Sequence, residues 1–384
     1  MGCHLLSQKL HHLKIDISVQ NYILDKFLNL LRNRICLTKP EEAKVTDIIF
    51  VWMYQGWFCG EGILKWYSYP SRGKTIMTTS ARLEDLNARF YKQGKIEFET
   101  GPEGTVVVRL ESGSASARIS LLGATVISYI PEGGREVLFL SRRSGFQPGK
   151  SIRGGIPICL PWFGDDPNDA SLPKHGFFRL LDWDVASTSL EAGGSSVLLT
   201  LADSETTREY WPFAFRAECT ITLGDRLTLS VKVINKGPEA FALSCAFHRY
   251  CAVSNIGKIE LPVLADKEYV DRIDLSRVQS SELHTGPLRF SGEVNRLYAH
   301  GELVDIVDPA LDRKVRVSGI GTSQMVVWNP WKDKCAAIAD LEAGDYLRFV
   351  CAEPGIITSP SILVEPGATF AIGMSLEALP SYGT

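Results

Sequence analysis

The chain has no CxxC pair and no Cys/His spacing of the metal-binding kind, although it carries nine cysteines. Neither a zinc module nor a thioredoxin-type redox motif is therefore encoded. The cysteines read as reduced, mostly buried thiols of a cytosolic protein. Charge of one sign is also missing: 41 Lys+Arg stand against 44 Asp+Glu. That balance gives no reason to expect nucleic acid or an anionic membrane as partner. The longest uncharged run that stands out, Ile48 to Gly60, falls short of the roughly 18–20 apolar residues of a transmembrane helix. It also lies too far from the N-terminus for a signal peptide. Leu6 stands where a myristoylation signal wants Ser or Thr. No targeting segment is read, and a cytoplasmic location is expected. No βαβ rhythm appears and no glycine-rich loop opens a helix, which argues against a nucleotide-binding α/β fold. There is no repeat of fixed period and no low-complexity tract.

What is present divides in two. Residues 1–76 carry 10 Lys+Arg against 6 Asp+Glu, whereas residues 77–384 carry 31 against 38. The first segment reads as an N-terminal extension of unknown role, with Met77 an alternative start. Within it, Val19, Tyr22, Ile23, Phe27, Leu30 and Leu31 have the spacing of an amphipathic helix over Asp16–Arg34. Residues 77–384 read as one domain built of strands. Short, often alternating runs recur at Lys95–Glu99, Thr105–Leu110, Ala115–Leu121, Thr125–Ile130, Ser196–Leu201, Phe215–Leu223, Arg226–Asn235, Phe241–Phe247, Lys314–Ser318, Gln324–Trp328, Tyr346–Ala352 and Ala368–Leu376. Strands this short at near-regular spacing predict an all-β sandwich or barrel. In Arg226–Asn235, Leu227, Leu229, Val231 and Val233 should share one buried face.

Four segments hold polar residues in unexpected places. Arg153 precedes the pair Gly154-Gly155. Its guanidinium could grip hydroxyl or phosphate oxygens, or merely close a loop on carbonyls. Lys174, His175 and Arg179 form a dense cationic cluster that suits an anion, a sugar or an ordinary solvated loop. His248 ends an apolar strand between Phe247 and Tyr250; it is a core histidine unless a carboxylate faces it. The run Tyr346–Ala352 leads into Glu353, and a glutamate at the end of a buried strand is costly unless paired or functional. Glu365 repeats the Glu-Pro-Gly tripeptide but reads as an exposed turn. One His and one Glu suited to proton transfer, with arginines to orient a substrate, fit acid–base chemistry that needs neither metal nor cofactor.

The segments RGGIPICLPWFG, LPKHGFFR, FHRY, VVWNPW and FVCAEPG, in that order, resemble the glucose-6-phosphate 1-epimerases of the aldose 1-epimerase superfamily. The resemblance covers roughly residues 90–380. It implies a galactose mutarotase-like antiparallel β-sandwich, no cofactor, a small-molecule hexose 6-phosphate as partner and a monomer. It assigns Glu353 as general base and His248 as general acid. Arg153, Arg179, His175, Lys174 and Asn295 become substrate-binding positions. The acid and base are expected on opposite sides of a cavity one pyranose wide. Three positions depart from the family pattern: Lys174 for Gln, Arg249 for Thr and Asn295 for Asp. Together they add positive charge around the sugar, with altered preference or rate as the implied consequence. A sugar-binding protein with little catalysis, and a mutarotase for a non-phosphorylated sugar, are the alternatives.

Overall fold

The computed structural model describes residues 78–381, apart from 167, 274–280, 284 and 359–361. The helix read over Asp16–Arg34 and the Ile48–Gly60 run lie outside the described residues. Among those described, antiparallel strands dominate, and the α-helices are Thr79–Phe90, Glu205–Tyr210 and Trp331–Ala337. None is long and apolar enough to cross a membrane.

Alternation of apolar and polar side chains explains one of the two large sheets. It has seven strands in the order Leu303–Asp308, Arg313–Ile320, Thr369–Leu379, Leu227–Asn235, Phe215–Leu223, Gly194–Ala202 and Asp184–Glu191. In Leu227–Asn235 the four predicted side chains are all buried, while Ser230 and Lys232 point to solvent. Such a strand can pair in only one register without turning its apolar set to water. A four-stranded sheet, Ile96–Thr100, Val106–Ser112, Ala115–Ser120 and Thr125–Ile130, precedes it in the chain. Val108, Leu229 and Val327, from three different sheets, belong to one continuous buried cluster, as a sandwich requires.

The remaining large sheet carries the informative motifs. Its order is Ser281–Leu283, Glu268–Asp271, Val294–Tyr298, Gln324–Asn329, Phe349–Ile356, Cys245–Phe247 and Ile158–Cys159, with Tyr250–Ala252 also pairing with Phe349–Ile356. Two sequence expectations are corrected here. The Phe241–Phe247 run is two strands: Phe241–Leu243 pairs with Ile362–Val364, while Cys245–Phe247 joins the motif-bearing sheet. The chain changes sheets at Ser244, whose N–H bonds Pro161 O and whose hydroxyl accepts from Phe163 N–H. The run Tyr346–Ala352 begins in a 3-10 turn, and its strand continues to Ile356. Glu353 is thus in mid-strand rather than at an end. Pro354 disguised this, because proline ordinarily argues against a central strand.

Replacing Leu229 by Ala should cost about 2–5 kcal/mol, the usual range for a fully buried leucine. Ser230→Ala should change stability by less than about 0.5 kcal/mol. Urea midpoints for the two variants check the register directly, since a one-residue slip would reverse the ranking.

Candidate functional site

Register brings the distant motifs side by side. Tyr250 pairs with Cys351, Ala246 pairs with both Gly355 and Cys159, and Phe247 pairs with Ile158. On the other side of Phe349–Ile356, Val326 is opposite Glu353, Trp328 is opposite Cys351, and Asn295 is opposite Trp328. Directly paired residues share a face, so Asn295, Trp328, Cys351 and Tyr250 form one row and Leu297, Val326 and Glu353 another. Gly355 is required by this packing, because a Cβ there would stand 2.2 Å from Cys245 O. Gly176 serves the loop Leu172–Arg179 in the same way: its φ is +69° and a Cβ would meet Leu160 O at 2.0 Å. Trp162 Nε1 donates to Pro173 O at 2.9 Å and fastens that loop to the Arg153 motif.

The centre of the arrangement is His248 and Glu353. His248 Nδ1 lies 3.5 Å from Glu353 Oε1; the residues are 7% and 1% exposed. His248 Nδ1 and Glu353 Oε2 have no hydrogen-bond partner among the described residues. The expected placement on opposite sides of a pyranose-wide cavity is therefore corrected. The two groups stand side by side, because the short strands on either side of His248 both pair with the strand that carries Glu353. The His248 ring stacks on Tyr250, with centroids 4.8 Å apart and planes within 10°. It meets His175 and Trp328 edge-on at 5.5 and 5.8 Å.

Arginines surround this pair. Arg153 donates from Nε to Asp340 Oδ1 and from Nη1 to Tyr250 Oη, both at 2.9 Å. Two of its nitrogens are thereby held, and it braces the ring on which His248 stacks. Arg179 donates from Nη2 to Lys174 O at 2.7 Å, while its buried Nε has no partner among the described residues. His175 has a left-handed backbone (φ 63°). Its Nδ1 accepts the Gly164 N–H at 3.1 Å, which leaves Nε2 as the protonated nitrogen. Lys174 departs from expectation: it lies at the rim, with a 61% exposed side chain, 3.5 Å from Asp165. Asn295 is half-buried, and its Nδ2 donates to Arg272 O at 3.1 Å. Arg249 departs further. It lies between His248 and Tyr250 in sequence, and its carbonyl accepts from Ala352 N–H. It is 0% exposed, with no partner for Nε, Nη1 or Nη2 among the described residues. Its charge is enclosed in protein rather than presented beside a sugar.

Sequence reasoning missed Arg272. It stands in no motif, and its only signal was a position near the far edge of the motif-bearing sheet. Its guanidinium carbon is 5.8 Å from the Phe163 ring centre, and Phe163 touches His175 at 4.6 Å.

Burial dominates the electrostatics. It pushes the Glu353 carboxyl up to about 8 against the pull of Arg272, Arg179 and Arg249. It pushes His248 well below the usual histidine range, with Arg179 and Arg153 adding to the effect. His175 is lowered for the same reasons, burial first and then Arg179. Burial thus favours a protonated carboxyl beside a neutral imidazole. His248, Cys351 and Glu353 bring possible metal-ligand atoms within 4.8 Å of one another. The surrounding guanidiniums oppose a cation there and favour an anion.

A model of the aldose 1-epimerase family matches residues 106–377. A protein of Cenchrus ciliaris, named provisionally a glucose-6-phosphate 1-epimerase, is 31% identical over 74% of this chain and 88% of its own length. A Salmonella typhimurium protein with the same provisional name is 29% identical over 67% of this chain and 86% of its own. A crystal structure from Salmonella typhimurium, described provisionally as a mutarotase, superposes with a TM-score of 0.68 at 25% identity, covering 78% of this chain and 99% of that one. A protein of Synechocystis sp. PCC 6803 at 23% identity shares the fold, with a TM-score of 0.61 over 73% of this chain and 97% of that one.

Replacing Glu353 by Gln should reveal the cost of burying the carboxyl. Its value is near 4.5 when exposed and about 8 when folded, so the folded state binds the proton more tightly. Parent stability therefore falls as pH rises from about 4.5 to 8. Glu353→Gln lacks this loss and should gain on the parent across that window. Urea midpoints at pH 5 and pH 8 measure the stability of the variant minus that of the parent; a difference that falls with pH would contradict a raised carboxyl.

Proposed function

Because the chain belongs to the aldose 1-epimerase family, we propose that it interconverts the α and β anomers of a hexose 6-phosphate by acid–base catalysed ring opening. The observation that carries this reading is the buried pair His248 and Glu353, 3.5 Å apart, with unpaired polar atoms amid guanidinium groups. Anomer exchange needs one proton taken from C1–OH and one given to the ring oxygen. Both oxygens are bonded to C1, so adjacent groups can serve both. As the C1–OH proton leaves, the bond from C1 to the ring oxygen breaks and the ring oxygen is protonated. The open aldehyde rotates about C1–C2, and closure in the reverse sense gives the other anomer. No metal, redox group or external reactant enters the balance.

The pair needs one proton between its members. The family roles, Glu353 as base and His248 as acid, correspond to carboxylate beside imidazolium. Burial favours the other placement, with the proton on Glu353. These are two microstates of one coupled pair, and the roles exchange between forward and reverse reactions. His175, fixed as an Nε2 donor, is a sugar-hydroxyl ligand in this reading. The hexose 6-phosphate assignment rests on the positive surroundings and on the relatives' provisional names.

Exchange spectroscopy of the anomeric protons with glucose 6-phosphate tests the reading. Glu353→Gln and His248→Ala should each slow exchange by roughly two to four orders of magnitude, the usual contribution of a positioned acid or base. Glu365→Gln, at an exposed turn, should have no measurable effect. Unaltered exchange in Glu353→Gln would remove Glu353 from the mechanism, and parent exchange no faster than the uncatalysed rate would favour sugar binding without catalysis. The pH profile of the apparent second-order rate locates the proton. With Glu353 at about 8, activity should persist through neutrality and fall above pH 8, where the pair has no proton left to give. A fall centred near pH 6.5 would place the proton on His248 instead.

A further inference from the structure

We propose that Arg272 is a substrate-binding residue for the phosphoryl group of the sugar, sharing that group with Arg179; the inference rests on the sugar-phosphate reading above. The main chain of Arg272 is pinned on both its donor and its acceptor side. Its N–H donates to Asn295 O at 2.7 Å, and Asn295 Nδ2 donates to its carbonyl at 3.1 Å. These bonds tie it to the strand whose Asn295 shares a face with Trp328 and Cys351. From there the side chain reaches Phe163, and Phe163, His175 and His248 form an unbroken series of ring contacts at 4.6 and 5.5 Å. Arg272 is therefore linked to the acid–base pair through Phe163 and His175.

Its guanidinium is half-buried and makes no hydrogen bond or ion pair among the described residues. The neighbouring carboxylates do not satisfy it. Asp165 interacts with it electrostatically but contacts Lys174 at 3.5 Å, and Glu353 is enclosed beside His248. Arg179, from a different segment, also acts on Glu353 and keeps a buried Nε unpaired. Two guanidiniums with unused donors among the described residues thus act electrostatically on one carboxyl that burial tends to neutralise. A partly desolvated arginine with no partner is costly, and an incoming dianion with several acceptor oxygens offsets that cost for both at once. Arg153 suits the task less well, since Asp340 and Tyr250 hold two of its nitrogens. Asn295 is a positioning residue here: only its amide can donate to the Arg272 carbonyl, whereas an Asp would lose that bond.

The test uses the intact chain and two readouts, anomer exchange and equilibrium binding by calorimetry. Arg272→Gln should weaken glucose 6-phosphate binding and raise its KM by about 10- to 100-fold, the range for losing charge-assisted hydrogen bonds. Glucose exchange should suffer far less, and inorganic phosphate should compete less well. Arg272→Lys should recover part of the loss, and Asn295→Asp should reproduce part of it. Equal losses for glucose and glucose 6-phosphate would overturn the proposal, since Arg272 would then act only through Glu353. Unchanged affinity would overturn it outright. If the parent chain exchanges no sugar, the catalytic reading fails, while calorimetry with glucose 6-phosphate still decides the role of Arg272.

Discussion

A carboxyl group removed from water beside an imidazole is the constraint around which the site is organised. Glu353 is nearly inaccessible, and an isolated carboxylate there would be expensive. Two responses are visible together. Burial shifts the carboxyl toward its neutral form, while Arg272, Arg179 and Arg249 pull it back toward ionisation. The outcome near 8 keeps the group able to change state close to neutrality, which a proton-transfer residue needs. The same burial keeps His248 neutral. Neither shift comes from one special contact; both follow from placing the pair where strands, aromatic rings and guanidiniums exclude solvent.

Secondary structure delivers that placement cheaply. Residues near 158, 246, 353, 326 and 295 are far apart in sequence but adjacent in sheet order, so main-chain bonds fix their separations before any side chain is chosen. The aromatic contacts then orient what the strands bring together. Tyr250 lies under His248 and is held by Arg153, while Trp328 and His175 meet the ring edge-on. Loss of Arg153 would thus disturb the imidazole through Tyr250 as well as any direct hold on a ligand.

Much of this was legible in the sequence, for identifiable reasons. Alternation revealed Leu227–Asn235 because one of its faces is wet. Asp184–Glu191 was missed because that edge strand is largely exposed and carries no apolar alternation. The five motifs led to His248, Glu353, Arg153, Arg179 and His175, all of which the sheet and its loops bring together. Their mutual geometry was not legible, since a one-letter text does not say whether two residues face each other or sit on neighbouring strands. Arg272 was invisible for a related reason: nothing local distinguishes it, and its relevance arises only from the strand pairing that sets it beside Asn295.

Arg249 shows how charge in a site must be read by position. From sequence it counts as one more cation near a sugar, together with Lys174. In the structure Lys174 is at the rim and already faced by Asp165. Arg249 is enclosed, where a guanidinium cannot lose its proton and its lowered pKa therefore registers as an energetic cost. A cost of that kind persists only if something compensates it, and Cys251, Cys351 and Glu353 are the acids that act on it. An ionised Glu353 would relieve Arg249, and Arg249 in turn eases ionisation of Glu353. The enclosed cation acts on the carboxyl together with Arg272 and Arg179. Unlike Arg249, the latter two are partly exposed.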